Sequence, residues 1–213
     1  MMSVDSRYHT GTFAAELTIV PTPTSTQTSA KILTEDVGML RSVAKDLSSK
    51  SGDLHRSTQM TEWRARTATR GKQAPTDLLG VLDDLGFAWR DVAQMLGVSV
   101  PAVQKWRRGE KLTGENRRNL AGLVAACDQV ADDYLVSEAA SWFEMPLVDG
   151  APVTPAVLYA EQQVDLVFDY ASGHADPESI LTEFQPDWRD NYRSRFESFV
   201  AADGNRSLRV KGD

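Results

Sequence analysis

Between Ser99 and Arg118 the chain gathers the side chains best suited to touching a polyanion. Ser99, Val100, Gln104, Lys105 and Arg108 share the outward side of a segment that reads as a helix, with Ser99 as its expected cap and Pro101 in its first turn. Gln104 can bond an adenine edge at two places, and Lys105 or Arg108 can bond N7 and O6 of guanine. Arg107, Lys111, Arg117 and Arg118 fall around the end of that helix and the start of the next, where they suit phosphates. The first set would read bases and the second would hold the protein in register.

Two short helices meeting at a tight turn must position these groups. Residues 89–108, WRDVAQMLGVSVPAVQKWRR, carry the pattern. Ala93 is small where the second helix crosses, and Gly97 sits at the turn, where a left-handed backbone costs glycine little. Val92, Leu96, Val98, Val103 and Trp106 occupy the offsets that face a shared core, so Trp106 is expected inside. Together these offsets predict a helix-turn-helix. A helix carrying Leu78, Leu79, Val81, Leu82 and Leu85 should precede it and stop at Gly86. A longer one from about Glu115 carries Leu120, Leu123, Val124, Cys127, Val130, Tyr134 and Leu135 as one buried stripe.

The charge distribution agrees with a polyanion-facing module. The 213-residue chain has a net charge of −7. From Phe87 to Leu120, however, seven basic residues face three acidic ones, whereas from Ala125 onward six basic face seventeen acidic. That asymmetry fits one half meeting DNA and the other meeting something else.

The rest of the composition narrows the field. Cys127 is the only cysteine, so no internal disulfide is expected, and it points to a reducing cytoplasm. His9, His55 and His174 are scattered without metal-ligand spacing, so no metal or other cofactor is expected. No run approaches the ~20 apolar residues of a membrane span, and no secretory leader is visible. No nucleophile, phosphate-cradling loop or metal cluster suggests an enzyme. Asp83-Asp84, Asp132-Asp133 and Asp165/Asp169 read as solvated helix surface with ordinary carboxylate pKa values.

The first 74 residues read as a flexible extension. Phe13, Ala15, Leu17 and Ile19 alternate as a short strand would, and PTPTSTQTS at 21–29 reads as a linker. Val37, Leu40, Val43, Ala44 and Leu47 mark one face of a short helix capped by Thr34 and weakened by Gly38 and SSKSG. Residues 51–74 carry Arg56, Arg64, Arg66, Arg70 and Lys72 around Trp63, either as a solvated linker or as a basic arm along phosphates.

Downstream, a short helix with Trp142 and Phe143 should halt before Pro146, and a turn follows at Asp149-Gly150. Thr154 should cap a helix that has Pro155 at its first position. Val164 to Ala171 form another, closed by Gly173, and Asp176-Pro177 opens a further one. Trp188, Tyr192, Phe196, Phe199 and Val200 stripe a last helix. The expected fold is therefore all-α. Its segments are an extension (1–74), a helix-turn-helix domain (75–135), a compact helical partner-binding or dimerisation domain (136–202) and a tail (203–213).

The order of these features resembles the Xre/MbcA/ParS antitoxins, the partners of RES-domain toxins. The resemblance rests on Ala93, Gly97, Val98, Ser99, Val103, Trp106 and Gly109, then on Trp142, Pro146, Gly150, Thr154, Pro155, Leu158, Val167, Ala171 and Gly173. It covers about Leu78 to Gly173, and the chain has some 75 residues before and 40 after that stretch. It implies a cytoplasmic protein that represses its own operon and neutralises a toxin through its C-terminal half. Trp142, Phe143, Pro146, Thr154, Leu158 and Val167 stand for that partner-contacting region. The alternative is a stand-alone host or phage helix-turn-helix regulator whose C-terminal half dimerises or senses a ligand. Either reading expects double-stranded DNA as a partner and a homodimer, joined through the helix from Glu115 or the aromatic helices after Ser137.

Overall fold

The computed structural model describes residues 26–193, 196–201 and 203–210, in two compact units, residues 1–48 and 49–213. The strand expected at Phe13–Ile19 lies outside the described residues. The short helix expected around Val37–Leu47 is instead part of a 45-residue helix, α1 (Thr26–Arg70), which takes in the end of the expected linker and most of the expected arm.

Side-chain chemistry explains why the polar stretch is helical. Thr58, Thr61, Thr67 and Thr69 each donate a hydroxyl to the carbonyl four residues back, which satisfies their polar atoms within the helix. In the second unit, α1 buries Gln59 and packs Met60 and Trp63 against the core. The Trp63 indole donates to the Gly122 carbonyl at 2.9 Å. A Cβ at Gly122 would lie 3.2 Å from the Trp63 ring and 3.3 Å from the Tyr159 hydroxyl, so glycine is what permits this approach.

The next four helices follow the expected punctuation. α2 (Pro75–Asp84) has proline at its first position and gives way to Gly86 at φ +88°. α3 (Trp89–Met95) and α4 (Val100–Arg107) are joined by a turn in which Gly97 takes φ +65°. Ser99 stands at the N-cap of α4, but its side chain makes no capping hydrogen bond, contrary to expectation. α5 (Gly114–Tyr134) is capped by Thr113, whose hydroxyl accepts the Asn116 N–H at 3.2 Å.

α5 is the axis of the core. Leu120 through Cys127, with Gln129 and Val130, are all buried, so this helix offers no open dimer face of the kind expected. Leu135 ends the helix with φ +59° and is 85% exposed; it does not extend the buried stripe.

α6 (Ala139–Glu144) and α8 (Val164–Ser172) pack on α5, α7 (Pro155–Ala160) packs on α3, α6 and α8, α9 (Pro177–Phe184) packs on α8, and α10 (Trp188–Asn191) follows. Thr154 caps α7 as expected, accepting the Val157 N–H, and Asp176, expected with Pro177 to open α9, accepts the Ser179 N–H. One continuous cluster of buried residues runs from Leu78 to Trp188, so no break in the core separates the segments expected at 75–135 and 136–202.

The last element corrects the all-helical expectation. Trp188 opens only a four-residue helix, and Phe196 and Phe199 lie on a strand, β1 (Phe196–Val200), antiparallel to β2 (Arg206–Val210). Asp203-Gly204 supplies the turn between them, with Gly204 at φ +80° and Asp203 accepting the Asn205 N–H. The described chain is thus mostly helical with one two-stranded sheet. Among the described residues, no helix is long and apolar enough to cross a membrane.

Candidate nucleic-acid interface

α4 is two-sided. Val103 is fully buried and Trp106 nearly so, while Ser99, Val100, Pro101, Lys105 and Arg108 are exposed and Gln104 is half-buried. The 3.6-residue period sorts the sequence this way, since 103 and 106 fall on one face and 101, 104, 105 and 108 on the other. Lys105 and Arg108 are open to solvent, and Gln104 partly so.

The expected phosphate-contacting residues divide. The Arg107 guanidinium lies 4.2 Å from the Trp89 ring centroid and donates to Gln104 Oε1 at 3.4 Å, so α3 fixes its direction. Arg117 donates to the Gln73 carbonyl at 2.9 Å, which ties the start of α5 to the turn after α1. Lys111 and Arg118 are exposed. Among the described residues Arg108 pairs with Glu110, at 3.8 Å between exposed side chains, a contact of little energetic weight.

Beside the start of α5 lies a recess of about 530 Å³. Arg64, Lys72, Arg117 and Arg118 line it with Trp63 and Tyr159, and no carboxylate is among its lining residues. The positive end of the α5 dipole adds to the charge of those cations. Burial pushes the Tyr159 hydroxyl well above the usual tyrosine pKa, so it enters neutral. Sequence reading placed Arg64 and Lys72 on an arm without their neighbours. Their company with Arg117 and Arg118 requires the packing of α1 on α5, which no local pattern encodes.

The other three arm cations are spoken for. Arg56 donates to Asp169 and, through both terminal nitrogens, to Glu183 at 2.8 Å each. Arg70 grips Asp128 with two 2.7 Å bonds, and Arg66 bridges Asp132 and Asp133. An arm along phosphates would have to break these pairs, so the structure assigns Arg56, Arg66 and Arg70 to holding α1 against the core.

The acidic partners are accordingly not all solvated surface. Asp169 is 4% exposed, and burial raises its pKa above the ordinary carboxylate value despite the opposing pull of Arg56. Burial also raises Asp133, partly offset by Arg66, whereas the Arg56 hydrogen bond lowers Glu183.

The expected partner-contacting set is mostly interior. Phe143, Leu158 and Val167 are fully buried among the core residues, because their helices must cover α3 and α5 before they can meet anything else. Thr154 is half-buried and engaged in capping. Trp142 is half-buried and stacked on Tyr170 at 5.5 Å, and Pro146 and Met145 are exposed. Among the described residues, no group of His, Cys, Asp and Glu could hold a metal ion. Neither a known family, nor a curated protein, nor a solved structure matches the chain.

Proposed function

We propose that this chain is a sequence-specific DNA-binding regulator that lays α4 in a major groove. The observation that carries the reading is the two-sidedness of α4: Val103 and Trp106 anchor it, and Lys105 and Arg108 are exposed on the other side, with half-buried Gln104 beside them. Lys111 and Arg118, with the recess cations Arg64 and Lys72, supply the phosphate contacts that set register.

The test is selection of a binding site from random duplexes, followed by titration of that site and of an unrelated duplex at several salt concentrations. Arg108→Ala should cost ~1–3 kcal/mol on the selected site and relax preference at one base pair. Arg118→Ala should weaken both duplexes alike and flatten the salt slope by about one. Equal losses on both duplexes for Arg108→Ala would remove it as a base reader, and failure to enrich any site would sink the reading.

The regulator is further proposed to be an antitoxin that represses its own operon. The support is the resemblance of its motifs together with the exposed Met145 and Pro146 beside the Trp142–Tyr170 stack, an apolar patch on an otherwise acidic half. Expression of the adjoining reading frame with and without this chain distinguishes it from a stand-alone regulator. Growth arrest relieved by this chain supports the antitoxin; a harmless neighbour leaves the stand-alone regulator.

A further inference from the structure

The first unit, residues 1–48, exposes an apolar stripe with a period the sequence reading did not count. Every described side chain from Leu33 to Leu47 is exposed, and Leu33, Val37, Leu40 and Leu47 are between 43% and 68% exposed. Leu33, Val37, Leu40, Ala44 and Leu47 are separated by steps of four, three, four and three residues. Leucine returns at every seventh position, 33, 40 and 47, and the repeat continues in the sequence to Leu54, which is also exposed.

This period differs from that of a helix lying on a globular core. A seven-residue leucine repeat with a β-branched or small residue between successive leucines is the seam of two supercoiled helices. Leucine at one seam position and valine at the other favours two strands.

The flanking charges choose the occupant and its direction. Asp36 and Arg41 border the seam on opposite sides, five residues apart. In a parallel pair that spacing brings Asp36 of one protomer to the partner's Arg41, and the two-fold repeats the contact. An antiparallel pair centred on the same leucines would set Arg41 against the partner's Arg41. The stripe is therefore complementary to itself in one orientation.

We propose that the stripe from Leu33 to Leu47 is the seam of a parallel two-stranded coiled coil with a second copy of this chain. The inference does not rest on the DNA reading, because it is tested on free protein.

Sedimentation of the full chain should give twice the 23.5 kDa monomer mass. Leu40→Glu, which places a charge in the seam, should weaken the dimer by at least about thirtyfold. Ser42→Glu, on the side away from the seam, should leave the mass unchanged. Urea unfolding of both variants should match the parent when monitored by tryptophan fluorescence, since all five tryptophans lie beyond residue 48.

Oxidation of Leu40→Cys should trap a covalent dimer. Asp36→Arg and Arg41→Asp should each weaken self-association, and the two variants mixed should pair with one another. A monomer at all concentrations, or a dimer indifferent to Leu40→Glu, overturns the proposal. So does crosslinking only between a Leu40→Cys and an Ala44→Cys chain, the antiparallel result.

Discussion

Two groups of cations in the second unit began with the same chemistry and ended in opposite states. Arg56, Arg66 and Arg70 on α1 each face one or two carboxylates from α5, α8 or α9. Lys105, Arg108, Lys111 and Arg118, around α4 and the start of α5, are exposed, and among the described residues their one ion pair is the long Arg108–Glu110 contact. What separates them is the element lying opposite. Carboxylates of α5, α8 and α9 pair with the α1 arginines, so the region that carries most of the negative charge uses part of it internally. A basic cluster in a sequence is thus a candidate for binding only once its partners across the fold are known.

The sharpest way to break this contrast is Arg56→Ala. It leaves Asp169 buried without its counter-ion, and near neutral pH it should cost about 3 kcal/mol in urea unfolding. The sign with pH follows from the two carboxylates. The folded pKa of Glu183 is depressed, so its contribution is present above the ordinary carboxylate range and is lost as pH falls through that depressed value. The folded pKa of Asp169 is raised, so its charged form weakens the fold as pH rises through the window above the ordinary value. The penalty of Arg56→Ala should therefore shrink as pH falls and Asp169 takes a proton. A penalty independent of pH would mean that the ion pair is not its source.

Arg70→Ala should come next, at about 1–2 kcal/mol, because its two bonds to Asp128 are geometrically good but only partly shielded. Arg118→Ala should be smallest, within about 0.5 kcal/mol of the parent, since the side chain is exposed. A loss for Arg118→Ala as large as that for Arg70→Ala would erase the distinction between the two groups.

Much of the fold was legible where a single residue type dictates local geometry. Gly86, Gly97 and Gly173 mark left-handed positions, Thr154 caps α7, Asp176-Pro177 opens α9, and Trp106 and Val103 sit inside. The misreadings share a cause: they needed information from elsewhere in the chain. Residues 51–74 look locally like a solvated linker or a basic arm because Trp63, Gln59 and the arginines find their partners some sixty or more residues later. Phe143, Leu158 and Val167 were read as a surface because an apolar helix face looks the same whether a core or a partner covers it. The strands β1 and β2 were read as part of a last helix and a tail although Asp203-Gly204 is a turn signal, since the spacing of Trp188, Tyr192, Phe196 and Phe199 also fits a helical period. The outward side of α4 needed only local periodicity, and there the reading and the observed exposure agree.

Cys127 lies in the middle of α5 at 1% exposure, and burial raises its thiol far above the usual cysteine pKa. Such a sulfur is silent toward alkylating and disulfide reagents while the fold is closed. Any cysteine introduced on the surface would consequently be modified alone, without removing the native one. Conversely, the rate at which Cys127 becomes labelled in the parent would time the opening of the whole helical core, a built-in clock for its breathing.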